Sequence, residues 1–184
     1  GLPLDLIRSA LPSVPQVPGR LERIDAGQRF GVYVDYAHTA DALHHVLEAL
    51  REITTGRLIL VFGCGGDRDP RKRAPMGRVA GEQADWALVT SDNPRHESPE
   101  EIAAQVVAGL RSARRGIWKV VLDRWRAIDE ALRAARPGDA VLIAGKGHET
   151  YQEFADTVVP FDDRWHARET LEALGYVSPK RRRE

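Results

Sequence analysis

The feature that most constrains the fold of this chain is a regular alternation of short apolar runs with segments of helical periodicity. The apolar runs, each bounded by turn residues, lie at 30–36, 57–63, 86–91, 117–123 and 139–145. Strands that alternate with helices are typical of a parallel sheet, because each helix carries the chain back to the start of the next strand. The sequence therefore predicts an α/β fold with a doubly wound, mainly parallel sheet and helices on both faces.

The helical segments between these runs have recognisable faces and ends. In the segment 39–53, the apolar side chains between Leu43 and Leu50 follow the i, i+3, i+4, i+7 spacing of one helix face. The segment 98–112 begins with a serine, a proline and two glutamates, which favour a helix N-terminus. The segment 150–163 is irregular and has room for a short hairpin. Further helices are predicted at 4–11, 74–84, 124–136 and 164–175.

The charge balance and the apolar content argue against several classes of function. The 184 residues contain 27 basic and 27 acidic side chains, whereas nucleic-acid-binding proteins usually carry a basic excess. The sequence has neither an apolar run of about 18 residues nor a charged-then-apolar leader, so no membrane span and no secretion signal are predicted. Cys64 is the one cysteine, which excludes an internal disulfide. We expect a cytoplasmic protein without nucleic-acid or membrane partners.

Polar loops follow four of the five predicted strands. The sequences DYAH, GCGGDRD, SDNPR and GKGHE come at the ends of the first, second, third and fifth strands. Parallel strands place their carboxyl ends at one edge of the sheet, and that edge forms the ligand crevice of open α/β folds. The sequence therefore predicts a binding site built from these four loops.

Three of these loops carry groups suited to holding a small charged ligand. Arg95 has a planar guanidinium that can grip a carboxylate or a phosphate, and Asn93 beside it can both donate and accept hydrogen bonds. Arg68 sits between two aspartates that could orient it, in a glycine-rich loop. Glu149 could bind an ammonium group, and Gly145 could offer its carbonyl. The alternative for each loop is a solvated turn with chance charges.

Other polar residues leave their chemistry more open. Asp35 could hold ribose hydroxyls, while His38 could line a nucleotide base or serve as a helix-entry residue. The loop GCGGDRD matches neither the G-x-x-x-x-G-K-[ST] phosphate loop nor the G-x-G-x-x-G spacing, which disfavours a nicotinamide-dependent oxidoreductase. His44, His45 and Glu48 share one helix, but a solvated helix face is the favoured interpretation because no further ligand is evident. No metal site is predicted in this chain.

Several blocks, taken together and in order, resemble one known family. PGRLE, VDYAHTADAL, VFGCGGDRD, SDNPRHESPEEI, AGKGHETYQ and FDDRWHA are similar to blocks of the Mur ligase C-terminal domain, over residues 18 to 175. Looser forms of most blocks occur in related amide ligases, including the folylpolyglutamate synthetases. The DNPR block resembles the signature of Mur ligases that add meso-diaminopimelate to UDP-N-acetylmuramoyl-L-alanyl-D-glutamate, and lysine-adding relatives usually lack its arginine.

The resemblance implies a reaction and a set of site residues. ATP, with Mg²⁺, activates the carboxylate of the substrate as an acyl phosphate, and the amine of the incoming amino acid then forms the amide. The resemblance places meso-diaminopimelate against Arg68, Asp92, Asn93, Arg95, Gly145 and Glu149. It places the nucleotide against Arg20 at the phosphates, Asp35 at the ribose and His38 nearby.

The resemblance also implies that this chain is one domain of a longer ligase. Residues 1–17 are interpreted as a connector from a central ATP-binding domain, 18–176 as the amino-acid-binding domain, and 177–184 as a disordered basic tail. That missing central domain would bind the metal and most of the ATP, so this chain alone is not expected to catalyse. The alternatives are a related Mur or folylpolyglutamate-type ligase domain for another amino acid, and a stand-alone module that binds an amino acid or a nucleotide.

Overall fold

The computed structural model describes residues 2–113 and 116–177. Its strands are β1 (Glu22–Arg23), β2 (Gly31–Asp35), β3 (Leu58–Phe62), β4 (Trp86–Val89), β5 (Ile117–Val120), β6 (Ala140–Ala144), β7 (Tyr151–Phe154) and β8 (Thr157–Pro160). Its α-helices are α1 (Leu4–Ala10), α2 (Ala40–Ile53), α3 (Arg73–Gln83), α4 (Pro99–Ser112), α5 (Arg124–Ala134) and α6 (Asp163–Ala173). Short 3-10 helices lie at Leu11–Ser13 and Pro70–Lys72. Apart from Val177, the predicted basic tail 177–184 lies outside the described residues.

The described part of the chain contains one six-stranded sheet, in the order β1-β2-β6-β3-β4-β5. All neighbouring strands are parallel except β1 and β2, which are antiparallel. The predicted mainly parallel sheet is therefore confirmed. The sequence does not predict β1, because two residues carry no alternating pattern; Glu22 and Arg23 become a strand only by pairing with Val34 and Tyr33.

Helices cover both faces of the sheet, as the sequence predicts. α2, α3 and α4 pack on the face that carries Leu60 and Phe62, whereas α5 and α6 pack on the face that carries Ile59 and Val61. β3 and β6 lie at the centre of the sheet and are buried along their whole length. Their continuous Val, Ile and Leu runs are stabilised by this burial, by about 1.5–3 kcal/mol for each large side chain.

The helices begin where the sequence offers capping residues. Thr39 and Ser98 accept hydrogen bonds from backbone N–H groups in the first turns of α2 and α4. Asp123 and Asp162 cap α5 and α6 in the same way. Such caps satisfy donors that have no partner within the helix. The predicted strand 117–123 is too long at its C-terminal end, because the chain leaves the sheet there to place the cap of α5.

The strands β7 and β8 form a separate antiparallel hairpin, which confirms the hairpin considered for 150–163. A parallel bridge joins Phe154 of this hairpin to Arg95 in the loop after β4. Gln152, which is buried, donates through Nε2 to the carbonyl of Asp92 at 2.8 Å. The hairpin therefore lies directly against the SDNPR loop.

Helix α1 packs against none of these layers. None of its residues is buried, and its apolar side chains Leu4, Leu6 and Ile7 are 73%, 52% and 39% exposed. Among the described residues no helix, α1 included, has the length and apolar character needed to cross a membrane.

Candidate functional site

The four polar loops meet at the carboxyl edge of the sheet, as predicted. β2, β6, β3 and β4 are neighbours in that order, and each ends directly before one of the loops or within it. We refer to the loops 35–39, 63–69, 90–97 and 145–150 at this edge as the loop crevice.

Two glycines bring the loops of the crevice together. A Cβ on Gly63 would overlap the carbonyl oxygen of Thr90, so only glycine fits beneath the SDNPR loop where it passes β3. Gly145 has a φ of +116°, and a Cβ there would lie 2.7 Å from Oδ2 of Asp92. Because of these close approaches, Asn93 reaches past the end of β3 to the GKGHE loop that follows β6.

A buried lysine ties the SDNPR loop to the GKGHE loop. Lys146 is fully buried, and its Nζ donates to Oδ1 of Asn93 at 2.9 Å and to Oε2 of Glu149 at 3.1 Å. Asn93 donates through Nδ2 to the same Glu149 oxygen at 3.1 Å, and Asp92 places Oδ1 3.9 Å from the lysine. Both bonds to Glu149 use Oε2. Oε1 accepts no hydrogen bond from the described residues, which leaves it for a ligand ammonium.

The guanidinium of Arg95 is held from two sides. Its Nε pairs with Oε2 of Glu153 at 2.8 Å, and its Nη1 donates to the carbonyl of Gly66 at 2.8 Å. The backbone of Arg95 is left-handed, with a φ of +52°, and its N–H donates to the carbonyl of Glu153 at 3.0 Å. Nη2 donates to none of the described residues. That end of the planar fork can therefore receive a carboxylate.

Arg68 is exposed, and its side chain does not have the hydrogen-bond partners that the sequence analysis expects. The prediction that Asp67 and Asp69 orient it is wrong. The carboxylate of Asp67 bonds His96 at 2.8 Å, and that of Asp69 bonds Arg71 at 2.9 Å and caps the following 3-10 helix. The hydrogen bond between Asp67 and His96 lowers the pKa of the Asp67 carboxyl group and raises the pKa of the His96 imidazole. Arg68 itself contacts only the carbonyl of Asp67, at 3.5 Å, among the described hydrogen-bond partners.

Gly65 and Glu153 connect these groups into one arrangement. A Cβ on Gly65 would lie 3.3 Å from Nη1 of Arg95 and 3.8 Å from Cγ of Arg68. The backbone N–H of Glu153, whose carboxylate holds Arg95, donates to Oδ1 of Asn93 at 3.2 Å. The structure thus brings the six residues predicted to hold an amino acid into one crevice: Arg68, Asp92, Asn93, Arg95, Gly145 and Glu149.

The residues predicted to hold a nucleotide lie on the other side of the GKGHE loop. The guanidinium of Arg20 sits 4.5 Å above the ring of Tyr36. That ring also packs edge-on against His38, with 4.6 Å between ring centroids, and lies tilted against His148 with 5.6 Å between centroids. Arg20 is exposed, so it adds a positive charge to an aromatic surface. Such a surface suits a base and its phosphates.

Asp35 has a structural role that the sequence does not reveal. It is 8% exposed, and its two oxygens accept hydrogen bonds from the backbone N–H groups of Leu21 at 2.6 Å and Ala37 at 2.7 Å. Leu21 is left-handed, with a φ of +43°. Asp35 therefore fastens the segment before β1 to the end of β2. Its contact with a ribose stays a prediction.

Comparison with known proteins decides the family. Residues 19–147 match the family model described as "Mur ligase, glutamate ligase domain". This chain belongs to the Mur ligase family. The resemblance drawn from the sequence blocks is thereby confirmed.

Relatives of this Mur ligase domain carry more specific names. This chain is 50% identical over 171 residues to the UDP-N-acetylmuramoyl-L-alanyl-D-glutamate--2,6-diaminopimelate ligase of Syntrophomonas wolfei. The match covers 93% of this chain and 35% of the relative. A solved structure of a ligase of the same name is 39% identical, with a TM-score of 0.82 over 96% of this chain and 36% of that one. The chain therefore spans about a third of the length of the relatives it matches.

A more distant solved structure shares the fold. The folylpolyglutamate synthase/dihydrofolate synthase of Yersinia pestis, described as complexed with AMPPNP and Mn ion, is 21% identical with a TM-score of 0.60. The match covers 95% of this Mur ligase domain and 35% of that chain.

Sequence reasoning missed two residues that hold this Mur ligase domain together at the crevice. Arg124 and Asp163 are fully buried and joined by two hydrogen bonds of 2.7 Å. Arg124 also donates to the carbonyls of Ala144 at 3.0 Å and Ser91 at 3.4 Å, which end β6 and follow β4. The two residues are 39 positions apart, and no sequence pattern predicts that they pair. The one feature they share in the sequence is that each stands at a helix N-terminus beside a capping aspartate.

Cys64, in the loop 63–69 of the crevice, is buried and behaves as a core residue. It is 2% exposed, and its Sγ lies 3.6 Å from Sδ of Met76. Burial raises the pKa of its thiol to about 12. The thiolate required of a nucleophile is therefore not available near neutral pH.

Proposed function

We propose that this Mur ligase domain binds meso-diaminopimelate for an ATP-dependent ligase. That ligase would add the amino acid to UDP-N-acetylmuramoyl-L-alanyl-D-glutamate in peptidoglycan precursor synthesis in the cytoplasm. The names of the relatives support this assignment. The observation that carries it is the chain of contacts across the loop crevice: Glu153 pairs with the guanidinium of Arg95 and donates its N–H to Asn93, and Asn93 donates to Glu149.

The geometry suits one end of a diamino diacid. Meso-diaminopimelate has two amino-acid ends, of which one must leave its amine free to react while the other can be gripped. A zwitterionic end needs a cationic fork for its carboxylate and an acceptor for its ammonium. Arg95 and Arg68 supply the first and Glu149 the second. Lysine lacks the distal carboxylate and would leave Nη2 of Arg95 without an acceptor, which disfavours its binding.

Nucleotide contacts belong to the other half of the crevice in this proposal. Arg20 would meet phosphate oxygens, and the aromatic surface of Tyr36, His38 and His148 would meet the base or ribose. The ATP would supply the phosphoryl group: the substrate carboxylate forms an acyl phosphate with release of ADP, and the attacking amine then displaces phosphate. This chain's part is to position that amine.

In this proposal, Mg²⁺ and most ATP contacts belong to the part of the ligase that this chain does not cover. Among the described residues, the one group of three converging His, Cys, Asp or Glu side chains lies on α2 and does not belong to the loops of the crevice.

The exposed helix α1 supports the proposed division into a connector at 1–17 and a domain at 18–176. Regular packing begins only at Gly19, which lies so close to the GKGHE loop that a Cβ would overlap the backbone N of His148. Leucine and isoleucine side chains of α1 are left uncovered by this domain. A connector that packs on a preceding domain accounts for both facts.

The function is tested by activity of the full-length protein that contains this chain. Purified protein is given ATP, Mg²⁺ and the UDP-linked dipeptide, with meso-diaminopimelate or L-lysine as the acceptor, and ADP release and product mass are measured. We expect amide formation with meso-diaminopimelate and a much lower kcat/KM with lysine. Equal kcat/KM values would reject the specificity. Product with neither amino acid would favour another amino acid or a stand-alone binding module.

A further inference from the structure

A second cluster of ligating groups lies outside the loop crevice, on the exposed side of α2. His44, His45 and Glu48 each offer one ligand atom, and these three atoms lie within 4.8 Å of one another. The sequence analysis favours a solvated helix face here. The structure shows that the three side chains are solvent-exposed and also that they converge.

The convergence centres on a single carboxylate oxygen. Nε2 of His44 and Nδ1 of His45 both lie 3.9 Å from Oε2 of Glu48. Three ligands around a tetrahedral Zn²⁺ at about 2.0–2.2 Å are separated from one another by roughly 3.3 Å. Side chains that are 45%, 65% and 62% exposed can make the small remaining movement without disturbing the core.

The second nitrogen of each imidazole is already engaged by a polar neighbour. Nδ1 of His44 accepts from Nε2 of the side-chain amide of Gln83, the last residue of α3. Nε2 of His45 lies 3.5 Å from Oδ1 of Asp41. Metal-binding histidines characteristically use their other ring nitrogen in this way, because such a partner fixes the tautomer and the ring orientation. The amide oxygen of Gln83 is buried without a partner, and a half-turn of the amide would bring it to Nδ1–H of His44.

We propose that His44, His45 and Glu48 form a binding site for a transition-metal dication, with Zn²⁺ as the preferred ion. Two imidazoles and one carboxylate match the ligand preference of Zn²⁺, whereas Mg²⁺ and Ca²⁺ prefer oxygen ligands alone. Three protein ligands leave the fourth position to water. The site lies between α2 and the C-terminal end of α3, so the bound ion stabilises the contact between these helices through His44 and Gln83.

The experiment titrates Zn²⁺ into the tag-free chain and follows the heat of binding and the unfolding temperature. We expect one ion per chain, no comparable response to Mg²⁺, and a rise in unfolding temperature with metal concentration. His44→Ala and Glu48→Gln are expected to weaken binding tenfold or more. Glu52→Gln, one turn along the same helix, is the matched control and should bind Zn²⁺ like the parent chain.

Asp41→Asn separates a built site from a chance pair of surface histidines. Loss of a group that orients a ligand typically weakens metal binding by about 10–100-fold, although Asp41 itself does not touch the ion. Parental affinity in Asp41→Asn, or in both His44→Ala and Glu48→Gln, would overturn the proposal. A stoichiometry of one ion per two chains would also overturn it, because the ligands would then come from a contact between copies.

Discussion

Lys146 places its ammonium group in a fully buried position among acceptors of the loop crevice. Asn93 and Glu149 accept its hydrogen bonds, and Asp92 lies within ion-pair distance. The sequence shows that Lys146 belongs to the GKGHE block. It does not show that the Lys146 ammonium group donates hydrogen bonds to Asn93 and Glu149. A buried charge in such a position orients Asn93 and Glu149, two of the proposed ligand-binding side chains.

Replacing Lys146 is expected to cost both stability and site geometry. Lys146→Met removes a fully buried cation and leaves its acceptors Asn93 and Glu149, and the buried Asp92, without it, so we expect unfolding to become easier by about 3–5 kcal/mol. Lys119→Met, which breaks an exposed pair with Glu130, should cost at most about 1 kcal/mol. Urea denaturation of the two variants measures the difference. Equal losses would contradict the role of Lys146.

Glu97 gives the crevice a dependence on pH. Its oxygens accept hydrogen bonds from the guanidinium of Arg73, both at 2.8 Å, and from the backbone N–H of Asp67 at 2.6 Å. The hydrogen bonds from Arg73 are the main cause that lowers the pKa of Glu97. A lowered pKa means stabilisation that is complete above the ordinary glutamate range and is lost as the pH falls through the lowered value.

Glu97→Gln tests whether the stabilisation by Glu97 is lost as the pH falls. At pH 7 the variant should be less stable than the parent, because the charge-assisted bonds to Arg73 are gone. Below about pH 4 the difference should shrink, because the unfolded parent then binds a proton at Glu97 that the folded parent takes up only at lower pH. Denaturation at pH 7 and pH 3 provides the comparison, with Glu130→Gln as the exposed control. A stability difference between the parent and Glu97→Gln that is larger at pH 3 than at pH 7 would contradict this role of Glu97.

At the scale of elements, the two helices on one face are locked to the sheet by the ion pair between Arg124 and Asp163. Both residues stand in the first turn of their helices, α5 and α6, and both side chains are fully buried. Arg124 also reaches the carbonyl oxygens at the ends of β4 and β6. The pair therefore connects the layer of α5 and α6 to the two strands whose loops carry five of the six proposed amino-acid ligands.

Replacing one member of this pair is expected to lower the free energy of unfolding far more than replacing both. Asp163→Asn leaves a buried guanidinium without its carboxylate, and we expect a loss of about 3–5 kcal/mol. Replacing both Arg124 and Asp163 by apolar residues of similar volume should recover much of it. The exposed pair of Asp129 and Arg133 on α5 serves as the control, with an expected loss of about 0.3–0.5 kcal/mol. Additive losses for Arg124 and Asp163 would disprove the coupling.

Much of this element-level architecture could be predicted because it depends on local pattern. Continuous apolar runs, helix periodicity and capping residues are properties of neighbouring positions, and they predict the five parallel strands and the edge at which their loops gather. β1 could not be predicted, because its two residues form a strand only against β2. The contact of Asn93 with Glu149, 56 residues apart, depends on Gly63 admitting another loop, and no local signal encodes that.

At the scale of the whole molecule, the two proposed binding sites lie on opposite sides of one loop. The GKGHE loop contributes Lys146 and Glu149 to the proposed amino-acid side, and His148 to the aromatic surface on the proposed nucleotide side. Gly147 lies so close to Tyr36 and Gly19 that a Cβ would come within 2.7 Å of both. A closely packed loop shared by both sides would hold the amino acid at a fixed distance from the nucleotide. Closure against the rest of the ligase would then align the amine with the acyl phosphate.

The central claim is that Arg95 recognises the distal carboxylate of a diamino diacid. Its most direct test is a cycle of kcat/KM values for meso-diaminopimelate and lysine in the full-length protein, with and without Arg95→Ala. We expect the variant to lose about 2–5 kcal/mol of transition-state stabilisation with meso-diaminopimelate and much less with lysine, which has no carboxylate for Arg95 to bind. An equal loss with the two amino acids would contradict the account.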